Sequence, residues 1–561
     1  MRIALASFNP TLGAFSDNTT RALAAAQSAQ AAGAELVVLP VCALSGAPMG
    51  GLAGSAAFVA GARAALDDFV AACPIPAVVS TLAGVEDAAA GLELAGIVAQ
   101  QQGYEVPQVA PAEYAAHPEA YYVHDGVADP LGFASWDEDS IGHFELGGRS
   151  IGVTLNRTVR PSASLEETDL VIALMADAYQ GVVAAVDKGP GDPALEAYCG
   201  TAALDQVPVA YLNLLGGQDG TVFDGRAAFI GMDGRVKAAA PRFSAGVLAV
   251  DVEAGKGEFS PEPDAWQPVA DPADEESQEQ ADWNALCLAS HDYVTKNGAR
   301  EVVIGLSGGI DSSVVATVMA DALGAEAVHG VLMPSPYSSE GSVTDALQLA
   351  ENLGIDTVTI PITPALEAFK TMLAEPLGGE LKGLALENIQ ARIRTLELYA
   401  FSNDKGWMVI NTGNKSEAAM GFSTLYGDTA GAYAPLGDIY KTRIYQLSRW
   451  RNEAAGRELV PANTLVKPPS AELHPGQRDD QRLPSYEVLD PLLLAHIEGG
   501  MGGAELIEHG FDESLVKEVL PTVKRFEFKR RNEPVGPEIS GMPLTSGRAW
   551  PLTNGWSDPC A

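Results

Sequence analysis

The sequence is poor in basic side chains and in cysteine. Its 35 Lys and Arg residues stand against 73 Asp and Glu residues, which gives a formal net charge of −38. A chain this acidic offers no broad basic surface, so we expect neither nucleic acid nor an anionic membrane as a partner. The five cysteines show no CxxC or other metal-ligand spacing, so we predict reduced and mostly buried thiols.

Long apolar runs are absent as well. No stretch of about 18 uncharged apolar residues occurs, and the apolar start at residues 1–6 is too short for a signal peptide. These features predict a cytoplasmic protein. An apolar content of 47% excludes general disorder, and 561 residues are too many for one ordinary core, so we expect two main domains.

Strand and helix signals divide the chain into four regions. Residues 1–253 alternate apolar strand runs with helical patterns, which predicts a layered α/β domain. Residues 254–282 are rich in Pro, Asp, Glu and Gln, which is typical of a linker. Residues 283–533 again alternate strands with helices and are predicted to form a doubly wound parallel sheet. Residues 534–561, rich in Pro, Gly and Trp, are predicted to form an extended tail.

The most informative motif is a glycine turn at residues 305–313, Gly-Leu-Ser-Gly-Gly-Ile-Asp-Ser-Ser. It lies between an apolar strand run and a helical pattern. In such a turn the glycines let backbone N–H groups approach phosphate oxygens, and the helix presents its unpaired donors to the anion. Asp311 can then hold Mg²⁺ against the same phosphates. A Gly-Gly pair alone is often only a tight turn, but the hydroxyls and the carboxylate around it favour a bound triphosphate.

Further motifs follow along the same region. They lie at residues 332–339 (Leu-Met-Pro-Ser-Pro-Tyr-Ser-Ser), 387–394 (Glu-Asn-Ile-Gln-Ala-Arg-Ile-Arg), 411–417 (Asn-Thr-Gly-Asn-Lys-Ser-Glu), 421–428 (Gly-Phe-Ser-Thr-Leu-Tyr-Gly-Asp), 468–473 (Pro-Pro-Ser-Ala-Glu-Leu) and 528–531 (Phe-Lys-Arg-Arg). Together with the glycine turn, these motifs closely resemble the synthetase domain of the NAD⁺ synthetases. In particular the chain is similar to the long, two-domain, glutamine-dependent members of that family.

The resemblance implies a ligase with an ATP pyrophosphatase fold of the adenine nucleotide α-hydrolase type. The carboxylate of nicotinic acid adenine dinucleotide (deamido-NAD) would attack the α-phosphate of ATP and release pyrophosphate. Ammonia would then displace AMP to give the amide, so ATP and Mg²⁺ are the implied co-substrate and metal. Because ammonia must reach the acyl-adenylate before water does, we expect mobile segments at residues 338–341 and 468–482 to shield the site.

The resemblance also assigns site residues. Asp311, Glu417 and Lys441 are the expected catalytic residues, with both carboxylates on Mg²⁺ and the lysine on a phosphate. The expected ATP contacts are Gly305, Leu306, Ser307, Gly308, Gly309, Ile310, Asp311, Ser312, Ser313, Met333, Thr412, Lys441 and Ser470. The expected dinucleotide contacts are Asn388, Arg392, Glu417, Phe422, Ser423, Thr424 and Lys529.

Taken singly, several of these residues have simpler explanations. A carboxylate that follows a strand, such as Asp311 or Glu417, is often only a helix N-cap or a first-turn charge. Asn388 and Arg392 lie four residues apart, so one helix face could present both to solvent. A basic run such as residues 529–531 is usually a solvated charge cluster. The surrounding motifs favour a binding role for all of them.

The first domain resembles the nitrilase-type glutaminase half of the long enzymes, which implies an α-β-β-α sandwich. The residues that carry this resemblance lie at 3–13, 34–40 and 211–225. Family members hydrolyse glutamine with a Glu–Lys–Cys triad. Val41 stands where the glutamate is expected and Asn156 where the cysteine is expected, and no lysine precedes Lys188. We therefore predict a catalytically inactive domain with a structural or oligomerising role.

Three interpretations follow from the sequence. The favoured one is an NAD⁺ synthetase that takes free ammonia from solution or from another protein and forms a homo-oligomer. A second keeps glutamine as the donor through an unrecognised nucleophile, for which Cys42 is a candidate, although a small buried residue is the better explanation. A third is a nucleotide sensor without catalysis, which the retained Asp311, Glu417 and Lys441 oppose.

Overall fold

The computed structural model describes residues 1–82, 117–133, 141–155, 165, 167–184, 192–269, 276–556 and 558–560, which form two compact units. The first unit contains Met1–Tyr179, Asp192–Gln218 and Phe223–Pro268. The second contains Gln180–Gly191, Asp219–Val222 and Val269–Ala561. Two short stretches from the first half of the chain therefore belong to the second unit.

The strands of the first half of the chain build two large sheets and one small sheet of two strands. They are β1 (Arg2–Ser7), β2 (Leu36–Val38), β3 (Ala77–Leu82), β4 (Pro118–His124), β5 (Val127–Phe133), β6 (Gly142–Leu146), β7 (Arg149–Thr154), β8 (Leu170–Met175), β9 (Val209–Asn213), β10 (Leu215–Gln218), β11 (Thr221–Asp224), β12 (Ala227–Ile230), β13 (Val236–Ala239), β14 (Gly246–Asp251) and β15 (Lys256–Pro261). The first sheet has the order β15-β14-β1-β2-β3-β4-β5, and the second has the order β13-β12-β9-β8-β7-β6.

Helices cover the outer faces of both sheets. They are α1 (Phe15–Ala31), α2 (Ala56–Ala72) and α3 (Pro193–Asp205). Within β1, Ile3 and Leu5 belong to the core between the two sheets, whereas Ala4 and Ala6 pack under α1 and α2. This alternation is the two-residue period of a strand that is buried on both faces. The apolar side of α3 packs on the second sheet. The predicted α-β-β-α sandwich is confirmed.

The second unit is built on a parallel sheet of four strands. Its strands are β16 (Val302–Gly305), β17 (Val328–Leu332), β18 (Asp356–Thr359) and β19 (Met408–Ile410). The order is β18-β17-β16-β19, so the chain steps outward from β16 to β18 and then returns to the other side of β16. Ligands of such sheets bind where the strand order reverses, beyond the carboxyl ends of the strands. Here that position follows Gly305 and Ile410.

Helices surround this sheet. They are α4 (Gln278–Lys296), α5 (Ile310–Leu323), α6 (Glu340–Leu353), α7 (Thr363–Ala374), α8 (Leu384–Lys405), α9 (Lys415–Met420), α10 (Lys441–Ala455), α11 (Ala462–Val466), α12 (Tyr486–Ile497), α13 (Gly503–Glu508), α14 (Glu513–Arg525) and α15 (Glu527–Arg530). After α15 the described residues contain no helix or strand, as expected for an extended tail. None of the described helices combines the length and apolar character needed to cross a membrane.

One stretch differs from the sequence prediction. Within residues 254–282, predicted as a linker, residues Lys256–Pro261 form β15, which pairs antiparallel with β14 along its whole length. The helix α4 also begins at Gln278, inside the same stretch. The strand β15 lies at a sheet edge and exposes most of its side chains, and a polar edge strand has the composition of a linker.

Candidate active site

The glycine turn joins β16 to α5 as predicted. Gly308 has φ +73°, and a Cβ at this position would lie 2.0 Å from the Ser342 carbonyl oxygen, so only glycine fits. The Ser307 hydroxyl accepts a hydrogen bond from the Gly309 backbone N–H at 3.2 Å and lies 3.0 Å from the Ser312 hydroxyl. These contacts hold the turn in place ahead of the α5 N-terminus, where the N–H groups of the first helical turn have no helical partner.

A lysine bridges two carboxylates next to this turn. Lys441 Nζ lies 2.5 Å from Asp311 Oδ2 and 3.1 Å from Glu417 Oε1, and its side chain is only 2% exposed. Asp311 lies in the first turn of α5, Glu417 in α9 after β19, and Lys441 at the start of α10. The structure thus brings together the three residues that the sequence predicts to be catalytic.

Burial and charge set the protonation of this cluster. Burial by itself would lower the pKa of Lys441, but the Asp311 and Glu417 carboxylates outweigh it and raise that pKa well above its usual value. The lysine therefore remains an ammonium at neutral pH. Burial raises the pKa of Glu417 to about 8, against the opposing charge of Lys441. A second cation beside Glu417 would favour its carboxylate form.

The donor set fits Mg²⁺. Asp311 and Glu417 both touch the Lys441 ammonium, so their oxygens lie within reach of a single cation. Among the described residues no group of three or more His, Cys, Asp or Glu side chains is arranged to hold a metal. Mg²⁺ keeps several waters and commonly binds through one or two carboxylates together with substrate phosphates, so two protein carboxylates suffice.

A cavity of about 340 Å³ opens at the carboxyl end of the parallel sheet. Most of the predicted site residues line it, namely Gly305, Leu306, Ser307, Gly309, Ile310, Asp311, Ser312, Met333, Thr412, Glu417, Phe422, Ser423, Lys441 and Ser470. Six predicted residues are not part of its lining, namely Gly308, Ser313, Asn388, Arg392, Thr424 and Lys529. The roles of all these residues toward ATP or dinucleotide stay predictions.

Four of these six hold the turn at residues 421–428, which carries Phe422 and Ser423. The Thr424 hydroxyl donates to Asn388 Oδ1 at 3.1 Å, and Arg392 Nε donates to the Leu425 carbonyl at 3.2 Å. Lys529 Nζ donates to the carbonyls of Gly421 and Ser423 at 2.7 and 2.5 Å. The remaining two belong to the phosphate turn, where the Ser313 hydroxyl donates to the Gly309 carbonyl at 2.8 Å.

Asn414 and Arg394 were missed by the sequence reasoning. Asn414 Nδ2 donates to Asp311 Oδ1 at 3.0 Å, and its Oδ1 accepts from the Glu417 backbone N–H at 3.0 Å. It therefore caps α9 and orients the Asp311 carboxylate. The Asn-x-x-Glu spacing is a helix N-cap signal that could have indicated this. Arg394 also lines the cavity and donates from Nε to the Met333 carbonyl at 3.0 Å.

The tail forms part of the cavity wall, which its sequence did not indicate. Glu533, Gly536, Glu538, Leu544 and Thr545 all line the cavity. Such a contact depends on pairing between distant chain positions and leaves no local sequence pattern.

A buried polar cluster anchors this tail. Lys415, which is fully buried in α9, donates from Nζ to Asp438 Oδ1 at 2.7 Å and to the Ser540 hydroxyl at 2.8 Å. The Ser540 backbone N–H donates to Asp438 Oδ2 at 2.7 Å. The same short helix therefore carries Glu417 into the cavity and fixes the tail.

The two segments expected to shield the site are joined to each other. Glu472 Oε2 accepts from the Ser339 backbone N–H at 3.1 Å, and its Oε1 accepts from the Ser342 hydroxyl at 2.9 Å. Arg482 forms a paired contact with the Glu387 carboxylate at 2.9 and 3.0 Å. Residues 468–482 are thereby tied to α6 and α8 beside the cavity.

The first unit has no glutaminase chemistry at the triad position that the structure describes. Val41 is 5% exposed and packs in the core between the two sheets. Cys42 is also buried, and burial raises the pKa of its thiol to about 12, so the thiol stays neutral and unreactive at pH 7. Asn156, the other predicted triad position, lies outside the described residues.

Comparison with known proteins agrees with this geometry. Residues 282–533 match the family model for NAD synthase. The chain is 35% identical to the glutamine-dependent NAD(+) synthetase of Thermotoga maritima, over 100% of this chain and 99% of that protein. It is also 35% identical to the glutamine-dependent NAD(+) synthetase of Rhodobacter capsulatus, over 99% of both chains. The chain belongs to the NAD⁺ synthetase family.

Solved structures of family members share this fold. The glutamine-dependent NAD⁺ synthetase of Acinetobacter baumannii, solved with ADP, superposes with a TM-score of 0.70 at 27% identity, over 99% of both chains. The corresponding protein of Cytophaga hutchinsonii superposes with a TM-score of 0.78, and its 18% identity supports the fold alone. As a member of the NAD⁺ synthetase family, the chain is a ligase that forms carbon–nitrogen bonds.

Proposed function

We propose that this enzyme amidates deamido-NAD to NAD⁺ at the expense of ATP, through an acyl-adenylate, and that its nitrogen donor is free ammonia. The observation that carries the first part is the convergence of Asp311, Glu417 and Lys441 on the phosphate turn. The second part rests on the first unit, where Val41 and the inert Cys42 stand beside the position of the missing glutamate.

The adenylation step needs charge stabilisation on the departing pyrophosphate. The α5 N-terminus and the Lys441 ammonium lie at one end of the cavity and supply fixed positive charge there. Asp311 and Glu417 would hold Mg²⁺, which when bound neutralises phosphate charge and polarises the reacting phosphoryl group. In the free enzyme the Lys441 ammonium contacts both acidic side chains, and Asn414 keeps Asp311 oriented.

The amidation step needs protection from water. Residues 468–482 lie over the cavity edge and are fixed to α6 through Glu472. A site closed in this way lets ammonia, rather than bulk water, meet the adenylate. We infer that opening of the Glu472 contact accompanies substrate entry.

The nitrogen donor distinguishes this chain from the relatives that are named as glutamine-dependent. Glutamine hydrolysis through a thioester requires a thiolate activated by a base. No cysteine occurs between Cys73 and Cys199, and no lysine precedes Lys188. Burial raises the pKa of Cys42 to about 12, which argues against a thiolate at this position at neutral pH. These features support free ammonia, from solution or from a partner protein, as the donor.

The first half of the chain has a structural part in this proposal. The Gly181 backbone N–H donates to the Ile539 carbonyl at 2.8 Å, and the Glu538 N–H donates to the Gly220 carbonyl at 2.7 Å. Val183 accepts from the Tyr440 N–H at 2.9 Å, next to Lys441. These stretches support the tail and the start of α10, both of which line the cavity. We infer that these two stretches of the first half of the chain are retained because they supply this support within the second unit.

The proposal includes a homo-oligomer in the cytoplasm. Large apolar side chains are exposed on α8 and on the neighbouring turn, namely Leu384, Leu396, Tyr399 and Tyr426. Several large exposed apolar side chains on one helix and its neighbouring turn are typical of a subunit interface. Light scattering of the purified protein would give a mass at least twice that of one chain, and a monomer at micromolar concentration would contradict this part.

The functional proposal is tested by product formation. Purified enzyme would be given deamido-NAD, ATP and Mg²⁺ with either ammonium or glutamine at matched concentration, and NAD⁺ and AMP would be measured. We expect turnover with ammonium and none with glutamine. Comparable turnover with glutamine would exclude the ammonia proposal, and no turnover with either donor would exclude NAD⁺ synthesis.

A further inference from the structure

A second cavity, of about 460 Å³, lies in the C-terminal part of the second unit. Its walls are formed by α14, α15 and the tail, and its lining is mainly apolar, with Leu520, Phe528, Trp550, Leu552 and Trp556 as the large side chains. Nothing in the proposed reaction uses this space. A cavity of this volume can hold a small molecule.

Arg548 places an uncompensated charge in this cavity. Its Nη2 donates to His496 Nε2 at 2.9 Å, and its guanidinium lies over the Trp550 ring, 5.0 Å from the centroid. Its Nη1 is buried and has no hydrogen-bond partner among the described residues. Among the same residues no carboxylate lies within ion-pair distance of Arg548.

His496 does not neutralise Arg548. Its Nδ1 lies 2.8 Å from the Met501 carbonyl and must donate to it, which leaves Nε2 as an acceptor for Arg548. Burial lowers the pKa of His496, so the imidazole stays neutral. The two are a hydrogen-bonded pair that still carries one positive charge.

The carboxylates that line the cavity are already engaged. Glu527 pairs with Arg530 and Arg531, each at 2.9 Å. The Asp558 oxygens accept from the Gly503 and Cys560 backbone N–H groups, each at 2.8 Å. An unpaired charge in an apolar setting is costly, and an anionic ligand would remove that cost.

The rest of the lining adds positive charge and aromatic surface. Lys524 and Arg525 also border the cavity, which concentrates basic side chains in a chain of net charge −38. The rings of Trp550 and Trp556 lie 5.5 Å apart at an angle of 55°, so they contact each other and form one continuous aromatic wall against which a ligand ring can pack.

We propose that this cavity is a binding site for a small aromatic anion, with its acidic group on the Arg548 guanidinium and its ring against the side chains of Trp550 and Trp556. The acidic group can be a carboxylate, a sulfonate or a phosphate, since each accepts a hydrogen bond from a guanidinium. The site is separate from the proposed active site, although Leu544 borders both cavities.

The test uses two probes that share a ring system and differ in charge. Binding of naphthalene-1-sulfonate and of the neutral naphthalene-1-sulfonamide to the full-length protein would be measured by calorimetry. We expect one sulfonate per chain, bound more tightly than the sulfonamide. Arg548→Gln should raise the dissociation constant of the sulfonate by about tenfold or more and leave that of the sulfonamide unchanged. Arg300→Gln, which removes an exposed charge outside both cavities, is the matched control.

A second variant keeps the test sound if Arg548→Gln perturbs folding. Trp556 is 54% exposed, so the Trp556→Ala variant should fold normally. It should bind both probes with lower affinity. Equal affinity for the two probes, or sulfonate binding that Arg548→Gln and Trp556→Ala both leave unchanged, would overturn the proposal. Displacement of the sulfonate by ATP and Mg²⁺ would also overturn it, because the probe would then occupy the first cavity. None of these measurements depends on catalytic turnover.

Discussion

The two α/β units of this chain differ in the residues that follow the carboxyl ends of their strands. In the second unit, β16 and β19 lead to Asp311 and Glu417, which meet at the buried ammonium of Lys441. In the first unit, β2 leads to Val41 and Cys42, which are buried in the core and bear no charge at pH 7. Both units keep an apolar core. At Val41 apolar packing holds the fold of the first unit without a charged side chain, because the core does not depend on one.

Replacing the lysine should have the largest effect. Lys441→Met removes the ammonium that contacts Asp311 and Glu417 and that would stabilise the departing pyrophosphate. We expect kcat/KM for NAD⁺ formation with ammonium to fall by at least about 100-fold. Lys370→Met, which removes a lysine paired with Glu367 on α7, is the control and should leave kcat/KM unchanged. Equal activity of the two variants would remove Lys441 from the mechanism.

Removal of the metal should have the next largest effect on NAD⁺ formation. A chelator should abolish NAD⁺ formation and added Mg²⁺ should restore it. Glu417→Gln keeps the shape of the side chain and removes one ligand charge, so the Mg²⁺ concentration for half-maximal activity should rise by at least about tenfold. Glu487→Gln, on an exposed position of α12, should not change it. Full activity in the chelator would argue against a metal at these carboxylates.

A substitution at Gly181 should disrupt the backbone contact between the first half of the chain and the tail. A Cβ at this position would lie 2.2 Å from Asp282 Oδ1, so Gly181→Ala must displace the stretch that holds Ile539. We expect a loss of about 1–3 kcal/mol in stability and a higher KM for deamido-NAD. Gly200→Ala is the matched control, since nothing lies within 4 Å of its Cβ. An unchanged KM in Gly181→Ala would separate the first half of the chain from the active site.

The thermal stability of the protein should depend on the protonation of Glu533, the residue before the tail. Burial raises the pKa of Glu533, which lines the cavity, to about 7. Because the folded state holds this proton more tightly, the associated stability is present below the ordinary glutamate pKa and is lost as pH rises through 7. Glu533→Gln should therefore match the natural protein at pH 4 and melt about 2–4 °C higher at pH 8. The exposed Glu518→Gln is the control, and an identical difference at both pH values would contradict the assignment.

A substitution at Cys42 in the first unit should have the smallest effect on activity. Cys42→Ala removes the only cysteine beside the missing base, and its neutral, buried thiol has no part in the proposed reaction. We expect unchanged kcat/KM with ammonium, measured as NAD⁺ formation. If Cys42→Ala instead abolished a glutamine-supported activity, Cys42 would be the nucleophile after all, and the contrast between the two units would disappear.

The parts of the site that sequence predicts are local. The turn at residues 305–313 combines a strand, glycines and a helix start within nine positions, so its conformation follows from neighbouring residues. Asp311 and Glu417 meet because each follows one of two adjacent parallel strands. Asn414 was within reach of the same reasoning, since its N-cap spacing is visible in the sequence.

The parts that sequence does not predict depend on contacts between distant positions. The tail lines the cavity through hydrogen bonds such as that from Glu538 to Gly220, which joins backbone groups more than 300 positions apart. Backbone pairing of this kind is independent of side-chain type and leaves no pattern. The strand β15 was missed for a related reason, because a polar edge strand and a linker have the same composition.

We propose that the synthetase chemistry of this chain is intact and its glutaminase chemistry is lost, and competition between isotopically distinct nitrogen donors can test this. The enzyme would be supplied with deamido-NAD, ATP and Mg²⁺ in a mixture of unlabelled ammonium and glutamine labelled with ¹⁵N in its amide. Mass spectrometry of the NAD⁺ formed would report the source of the carboxamide nitrogen. We expect NAD⁺ without label above the level of a blank that lacks enzyme, whereas substantial ¹⁵N in the carboxamide would show that glutamine is the donor.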